Sequence, residues 1–138
     1  TAQRRAQIFE RLCETAVPGP AIIHAHSNVS DTARLGPATL ASRGCIVGED
    51  VAIGTNVILN TGCSVDHHCE IGDHCHIAPG VTLSGGVKIG KRVLVGAGAT
   101  VIQNITIGDN ALIAAGAVVV EDIPDNAAVA GIPAKRVS

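Results

Sequence analysis

Aromatic residues are nearly missing from this chain: it holds one Phe and no Trp or Tyr. Proteins that grip single-stranded nucleic acid stack bases on aromatic rings, and no such platform can be assembled here. A basic excess is missing too. Ten Lys and Arg stand against twelve Asp and Glu, a formal net charge of -2 with a pI of about 6.2. That balance argues against nucleic acid or an anionic membrane as a partner, since both are drawn to positive surface. Long apolar runs are also lacking; none approaches the ~20 residues that span a bilayer. The opening residues Thr1 to Glu14 are amphipathic and charged, unlike a secretory signal. A cytoplasmic protein is the default expectation.

What the chain has is a period. From Ile23 to Val119 every sixth residue is aliphatic: Ile23, Val29, Leu35, Ala41, Val47, Ile53 and so on through Ile107, Ile113 and Val119. Sixteen of these seventeen positions are Ile, Leu or Val, and only Ala41 departs. A repeat of six marks a parallel β-helix. Gly follows the aliphatic residue at Gly36, Gly54, Gly72, Gly90 and Gly108, eighteen apart. Three hexads therefore make one coil, and residues eighteen apart stack. Each hexad is expected to give one short strand and one bend, with these glycines supplying the positive φ of tight bends. Such a core has little interior room, so chemistry must sit on the outside or between copies.

Four of the five cysteines, Cys45, Cys63, Cys69 and Cys75, share one hexad slot with Val51, Val57, Val81, Val87 and Val93. They read as small buried fillers. Paired CxxC spacing is absent, so neither a zinc nor a disulfide framework is indicated. Residues 2–14 read as a helix in which Ile8 pairs with Leu12 and Phe9 with Cys13, stopped by Pro18 and Pro20. After Val119 the period dissolves, and the tail is expected to cover strand edges at the open end. Stacking also places Glu70 under Lys88 and lines up Asp73, Lys91 and Asp109.

Four of six histidines lie between Asp66 and His76: His67, His68, His74 and His76. All occupy outward or corner slots, so core filling does not explain them. One coil above His67 and His68 come Gly85 and Gly86, an open shelf where a ligand can approach backbone N–H groups. One coil below come Glu49 and Asp50. A carboxylate stacked near an imidazole can fix its tautomer and favour proton abstraction. On residue types alone, metal binding remains an equal alternative.

The stretch Asn60-Thr61-Gly62-Cys63-Ser64-Val65-Asp66-His67-His68-Cys69, then His76-Ile77-Ala78-Pro79-Gly80, Leu83-Ser84-Gly85-Gly86-Val87 and the ending Gly131-Ile132-Pro133-Ala134-Lys135, resembles the hexapeptide-repeat sugar acetyltransferases. The similar group includes the bacillosamine and perosamine N-acetyltransferases and the sialic-acid O-acetyltransferases. The resemblance implies an all-β fold, a left-handed parallel β-helix of about five to six coils with a short N-terminal helix. It implies a homotrimer with acetyl-CoA bound between subunits, a sugar acceptor, and no metal. By the same resemblance His67 is the general base, with Asn60 near it, and His76 meets the acetyl end of the co-substrate. Gly85, Ala97 and Ala115 line the coenzyme channel, with Gly86 on the same shelf. Lys135 and Arg136 either meet coenzyme phosphates or form a solvated tail.

Two departures stand out. The group usually carries Asp or Glu directly after the catalytic histidine, where this chain has His68; Asp66 or the stacked Asp50 is expected to take over. Relatives also begin with a nucleotide-sugar-binding domain. Residues 1–20 accordingly read as a helix and linker left from such a domain, residues 21–123 as the β-helix, and residues 124–138 as a loop and capping tail. N-acetylation of a nucleotide-linked amino sugar is the leading expectation, with sugar O-acetylation beside it. A γ-class carbonic anhydrase, which would enlist His67, His74 and His76 around a metal, and a non-catalytic trimeric module are the rivals from other classes.

Overall fold

Each hexad forms one two-residue strand whose second residue is the aliphatic one and points inward. The computed structural model describes residues 1–137. It contains one helix, α1 (Ala2–Cys13), then seventeen strands, β1 to β17, running from Ile22–Ile23 to Val118–Val119, and finally β18 (Ala128–Ala130) and β19 (Lys135–Arg136). Every strand up to β14 pairs in parallel with the strand three further on, residue i opposite residue i+18. Ile58 lies opposite His76, for example, and His76 opposite Leu94. The result is a three-walled prism. Wall A has eight strands starting at Ile22–Ile23, wall B six starting at Asn28–Val29, and wall C five starting at Arg34–Leu35.

The inward residues from Ala41 to Val119 are buried, and so is the slot four residues after each, including Cys45, Cys63, Cys69 and Cys75. All four cysteines are free. Cys63 sits directly over Cys45 with Sγ atoms 3.6 Å apart, and burial, with Cys45 beside it, pushes the Cys63 thiol well above the ordinary range. Thr39 takes the same buried slot and satisfies its hydroxyl by donating to the Gly54 carbonyl and accepting from the Val57 amide. Outside, Lys88 pairs with Glu70 at 3.2 Å and Lys91 with Asp73 at 3.2 Å, as the stacking rule requires.

The glycines after the aliphatic residue do a different job from the expected one. Positive φ falls two residues further along, at Ala38, Asp50, Asn56, His68, His74, Arg92, Asn104 and Asn110 and at Gly44, Gly62, Gly80, Gly86, Gly98 and Gly116. Gly36 and Gly72 are instead forced by crowding from the coil above. A Cβ on Gly72 would lie 2.6 Å from the Gly90 carbonyl oxygen, and one on Gly36 would be 2.5 Å from that of Gly54.

The repeat slips rather than ends after Val119. Ile123 bridges to Ile107, and Leu112 and Ile113 pair with Ala128 and Val129, so the last coil is two residues short. The tail then turns back. β19 runs antiparallel to β18, and the Ala134 amide bonds the Val118 carbonyl.

α1 docks on the edge between walls C and A, but not through its Ile8–Leu12 stripe, which stays more than half exposed. It buries Ala6 and presents Arg5 and Phe9. The Arg5 guanidinium donates to the carbonyls of His74 (2.6 Å) and Cys75 (3.0 Å), while Phe9 meets the His74 ring edge-on at 5.6 Å. His74 is thereby 8% exposed, covered by the helix rather than by the core. Its imidazole is held below its ordinary value near 6.5, chiefly by burial, against the opposing pull of Asp73 and Glu10. The unfolded chain therefore takes up this proton first. Stability that is complete above the ordinary histidine value is lost as pH falls through it. Thermal unfolding at neutral and mildly acid pH is expected to show a clear acid-side drop in Tm, reduced in His74→Asn, whose side chain tolerates the positive φ. An equal drop in both proteins would remove His74 from this account.

Candidate active site

The functional candidates fall on two different edges of the prism. Asp66, His67 and His68 form the bend between a strand of wall B (Ser64–Val65) and one of wall C (Glu70–Ile71). The Asp66 carboxylate accepts the His67 amide at 2.8 Å and so shapes the bend. His68 adopts φ 57°, its amide donating to the Glu49 carbonyl at 2.9 Å, and the His67 carbonyl accepts from the Gly86 amide at 2.9 Å. The bend is thus stapled to the coils below and above.

The His67 ring lies against Gly85. A Cβ there would be 2.6 Å from Cε1 and 2.7 Å from Nε2, so only glycine admits the ring. His67 Nδ1 meets His68 Nδ1 at 3.0 Å, the rings set edge to face at 82°. His68 Nε2 in turn faces Asp50 Oδ2 at 3.7 Å. Nδ1 of His67 is therefore engaged, and Nε2 is left over the glycine shelf. The groove in front of it has a volume of ≈ 580 Å³, bounded by His67, His68, Gly85, Gly86, Gln103 and Asn104. Gln103 and Asn104 were not singled out from the sequence, although they lie thirty-six residues, two coils, beyond His67 and His68.

The second group sits on wall A and its edge with wall B. His76 points outward from wall A, and Asn60 follows the strand beneath it. Asn60 Oδ1 accepts the Thr61 amide at 2.8 Å, which turns Nδ2 toward His76 Nε2 at 3.2 Å. Nε2 must then accept, so the proton of the neutral ring is on Nδ1. Burial, with Arg5 as a smaller contribution, holds the His76 imidazole below its ordinary range. Ala97 and Ala115 lie on this edge, each just before a left-handed glycine, Gly98 and Gly116. A Cβ on Gly62, Gly80, Gly98 or Gly116 would meet nothing within 4 Å, so the edge is a column of bare backbone with open space beside it.

One chain does not bring the two groups together; the width of wall B separates them. Lys135 is turned to Glu121, Nζ to Oε1 3.1 Å, with both side chains exposed. His67, His74 and His76 stand at three separate places around the prism. Among the described residues no three His, Cys, Asp or Glu side chains converge where a metal ion would sit.

Comparison with known proteins agrees with the fold. The bacterial transferase hexapeptide family (six repeats) matches residues 44–85 and 86–121. A point mutant of perosamine N-acetyltransferase from Caulobacter crescentus, solved with CoA and GDP-perosamine, is 36% identical over 99% of this chain and 65% of its own, with a TM-score of 0.96. The acetyltransferase domain of PglB from Neisseria gonorrhoeae, solved with acetyl coenzyme A, is 37% identical over 99% of this chain and 66% of its own, TM-score 0.95. WeeI from Acinetobacter baumannii is 26% identical over 99% of this chain and 66% of its own, TM-score 0.93. The chain thus spans just under two thirds of the length of these structures. No curated protein matches it significantly.

Proposed function

The chain belongs to the bacterial transferase hexapeptide family, and from that premise we propose that it transfers an acetyl group from acetyl-CoA to the amine of a nucleotide-linked amino sugar. The observation that carries this reading is His67, its Nδ1 engaged and its Nε2 left over a shelf that only glycine can form. Relatives with 36–37% identity that hold CoA with GDP-perosamine, or acetyl coenzyme A, support the donor and the class of acceptor.

The working unit in this proposal is a homotrimer packed on wall B. The outward residues of that wall, among them Ile46, Ser64, Thr82, Thr100 and Val118, carry no charge, and it is the wall that lies between the His67 edge and the His76 edge. Threefold packing on wall B sets the His67 edge of one copy against the His76 edge of the next. The acyl donor, a substrate, lies along the bare glycine column. His67 Nε2 takes the proton of the attacking amine, help worth roughly a hundredfold to ten-thousandfold. The Nδ1–H of the neighbouring copy's His76 faces the carbonyl oxygen as negative charge develops there. As the C–N bond forms the thioester C–S bond breaks, and the proton held by His67 passes to the departing CoA thiolate, which leaves as the free thiol and restores the base. No repeat cysteine takes part as a nucleophile, because all four are enclosed in the core. Five free thiols suit the reducing cytoplasm.

Thiol release from acetyl-CoA with nucleotide-linked 4-amino sugars, free amino sugars and sialic acids tests the acceptor. Turnover is expected with the first set. Mixed trimers test the cleft. His67→Ala and His76→Ala are each expected to be weak alone. Unfolded, mixed in equal amounts and refolded together, they should regain about a quarter of wild-type turnover, the share of clefts that receives both histidines on random assembly. No gain on mixing would mean that the two histidines do not act across an interface.

A further inference from the structure

We propose that Asp50 acts through His68 to fix the proton of His67 on Nδ1, so that Nε2 is bare when the acceptor arrives; this rests on the acetyltransferase reading of the site. His67 and His68 face each other through like atoms, Nδ1 to Nδ1 at 3.0 Å. Two neutral imidazoles in that arrangement have two solutions. Either His67 donates and its Nε2 is a free acceptor, or His68 donates and the Nε2 of His67 carries the proton and cannot act as a base.

Asp50 selects between them. Its carboxylate stands 3.7 Å from His68 Nε2. A negative oxygen there favours the proton on His68 Nε2, which leaves His68 Nδ1 as the acceptor and obliges His67 to donate from Nδ1. Among the other neighbours no carboxylate makes an ion pair with either ring. Asp66 spends its carboxylate on the His67 amide, and Glu49 offers His68 its backbone carbonyl. The coil above contributes Gly85 and Gly86, and the one above that Gln103 and Asn104. Asp50 is itself held in place. Its φ is 54° and its amide donates to Thr32 Oγ1 at 2.9 Å. When His67 takes the acceptor's proton on Nε2, the new positive charge is shared along Nδ1–H toward His68 and faces Asp50 through it. Asp50 and His68 are positioning residues; neither touches substrate.

The test has one arm that needs no substrate. In 15N-histidine spectra of the intact chain at about pH 8, His67 should carry its proton on Nδ1 and His68 on Nε2. Asp50→Asn should abolish that preference in both rings. Turnover should fall by at least about tenfold with KM for acetyl-CoA unchanged, as expected when a base is held in the wrong tautomer, and Asp50→Glu should restore it. An aspartate Oδ occupies the position of a histidine Nδ1, so His68→Asp should accept directly from His67 and make the further change Asp50→Asn harmless. A His67 proton on Nε2 in the unsubstituted protein, or Asp50→Asn with unchanged tautomers and kcat, would overturn the proposal. A chain that shows these tautomers but acetylates none of the amino sugars would instead count against the acetyltransferase reading.

Discussion

His67→Ala is expected to lose turnover by roughly a hundredfold to ten-thousandfold, the range that a positioned general base supplies. Substrate approximation is retained, so a residual rate above the uncatalysed one should persist. The assembly should survive, because the imidazole lies on an exposed edge against Gly85 and contributes nothing to the apolar interior. Steady-state kinetics with size-exclusion chromatography on the same preparation checks both halves. Near-normal kcat would exclude His67 as the base, and a dissociated product would make the kinetic loss uninterpretable as chemistry.

The second large effect concerns stability and separates two kinds of glycine. Gly72→Ala is expected to lower stability by about 3 kcal/mol, the upper part of the range for forced overpacking. Its Cβ would meet the Gly90 carbonyl carbon at 2.7 Å and the Lys91 amide nitrogen at 3.0 Å. Those are backbone atoms of the next coil, and they can retreat only by stretching the ladder between Ile71 and Ile89. Gly80→Ala has the opposite circumstances. Its φ is +68° but a Cβ there meets nothing within 4 Å, so only the left-handed backbone penalty of about 1–2 kcal/mol applies. Denaturant midpoints of the two variants should rank Gly72→Ala clearly lower. The reverse order would mean that crowding between coils is relieved more easily than the backbone conformation.

That contrast also marks what the amino-acid sequence disclosed and what it hid. Period six fixed the strands, period eighteen fixed their partners, and together they placed Gly85, Gly86 and Asp50 around His67 and His68 before any coordinates. The glycine series at Gly36, Gly54 and Gly72 was visible, but its cause was not. A bend and a close approach both select glycine, and only the backbone angles tell them apart. The two-residue slip before Ile123 hid the last coil, since an aliphatic count at fixed spacing sees a slip as an end. Helix α1 was legible as a helix and illegible in its orientation. Ile8, Phe9, Leu12 and Cys13 looked like the apolar face; of these Phe9 docks, while Ile8, Leu12 and Cys13 stay exposed, and Arg5 docks beside Phe9 because the carbonyls of His74 and Cys75 offer acceptors that a neighbouring guanidinium can satisfy. The direction in which Asp50 acts was equally hidden: stacking put it one coil below the histidine pair, but only side-chain geometry aims it at His68 rather than His67.

The backward turn of the last strand has a bearing on what two prisms can do to each other. Rungs of equal width and uniform polarity are a template onto which another prism could add without limit, end on end. β19 enters with reversed polarity and occupies the outer side of β18, while Ala134 takes the Val118 carbonyl of the adjacent wall. On walls A and B a newcomer would therefore find no free row of matching direction at this end of the prism.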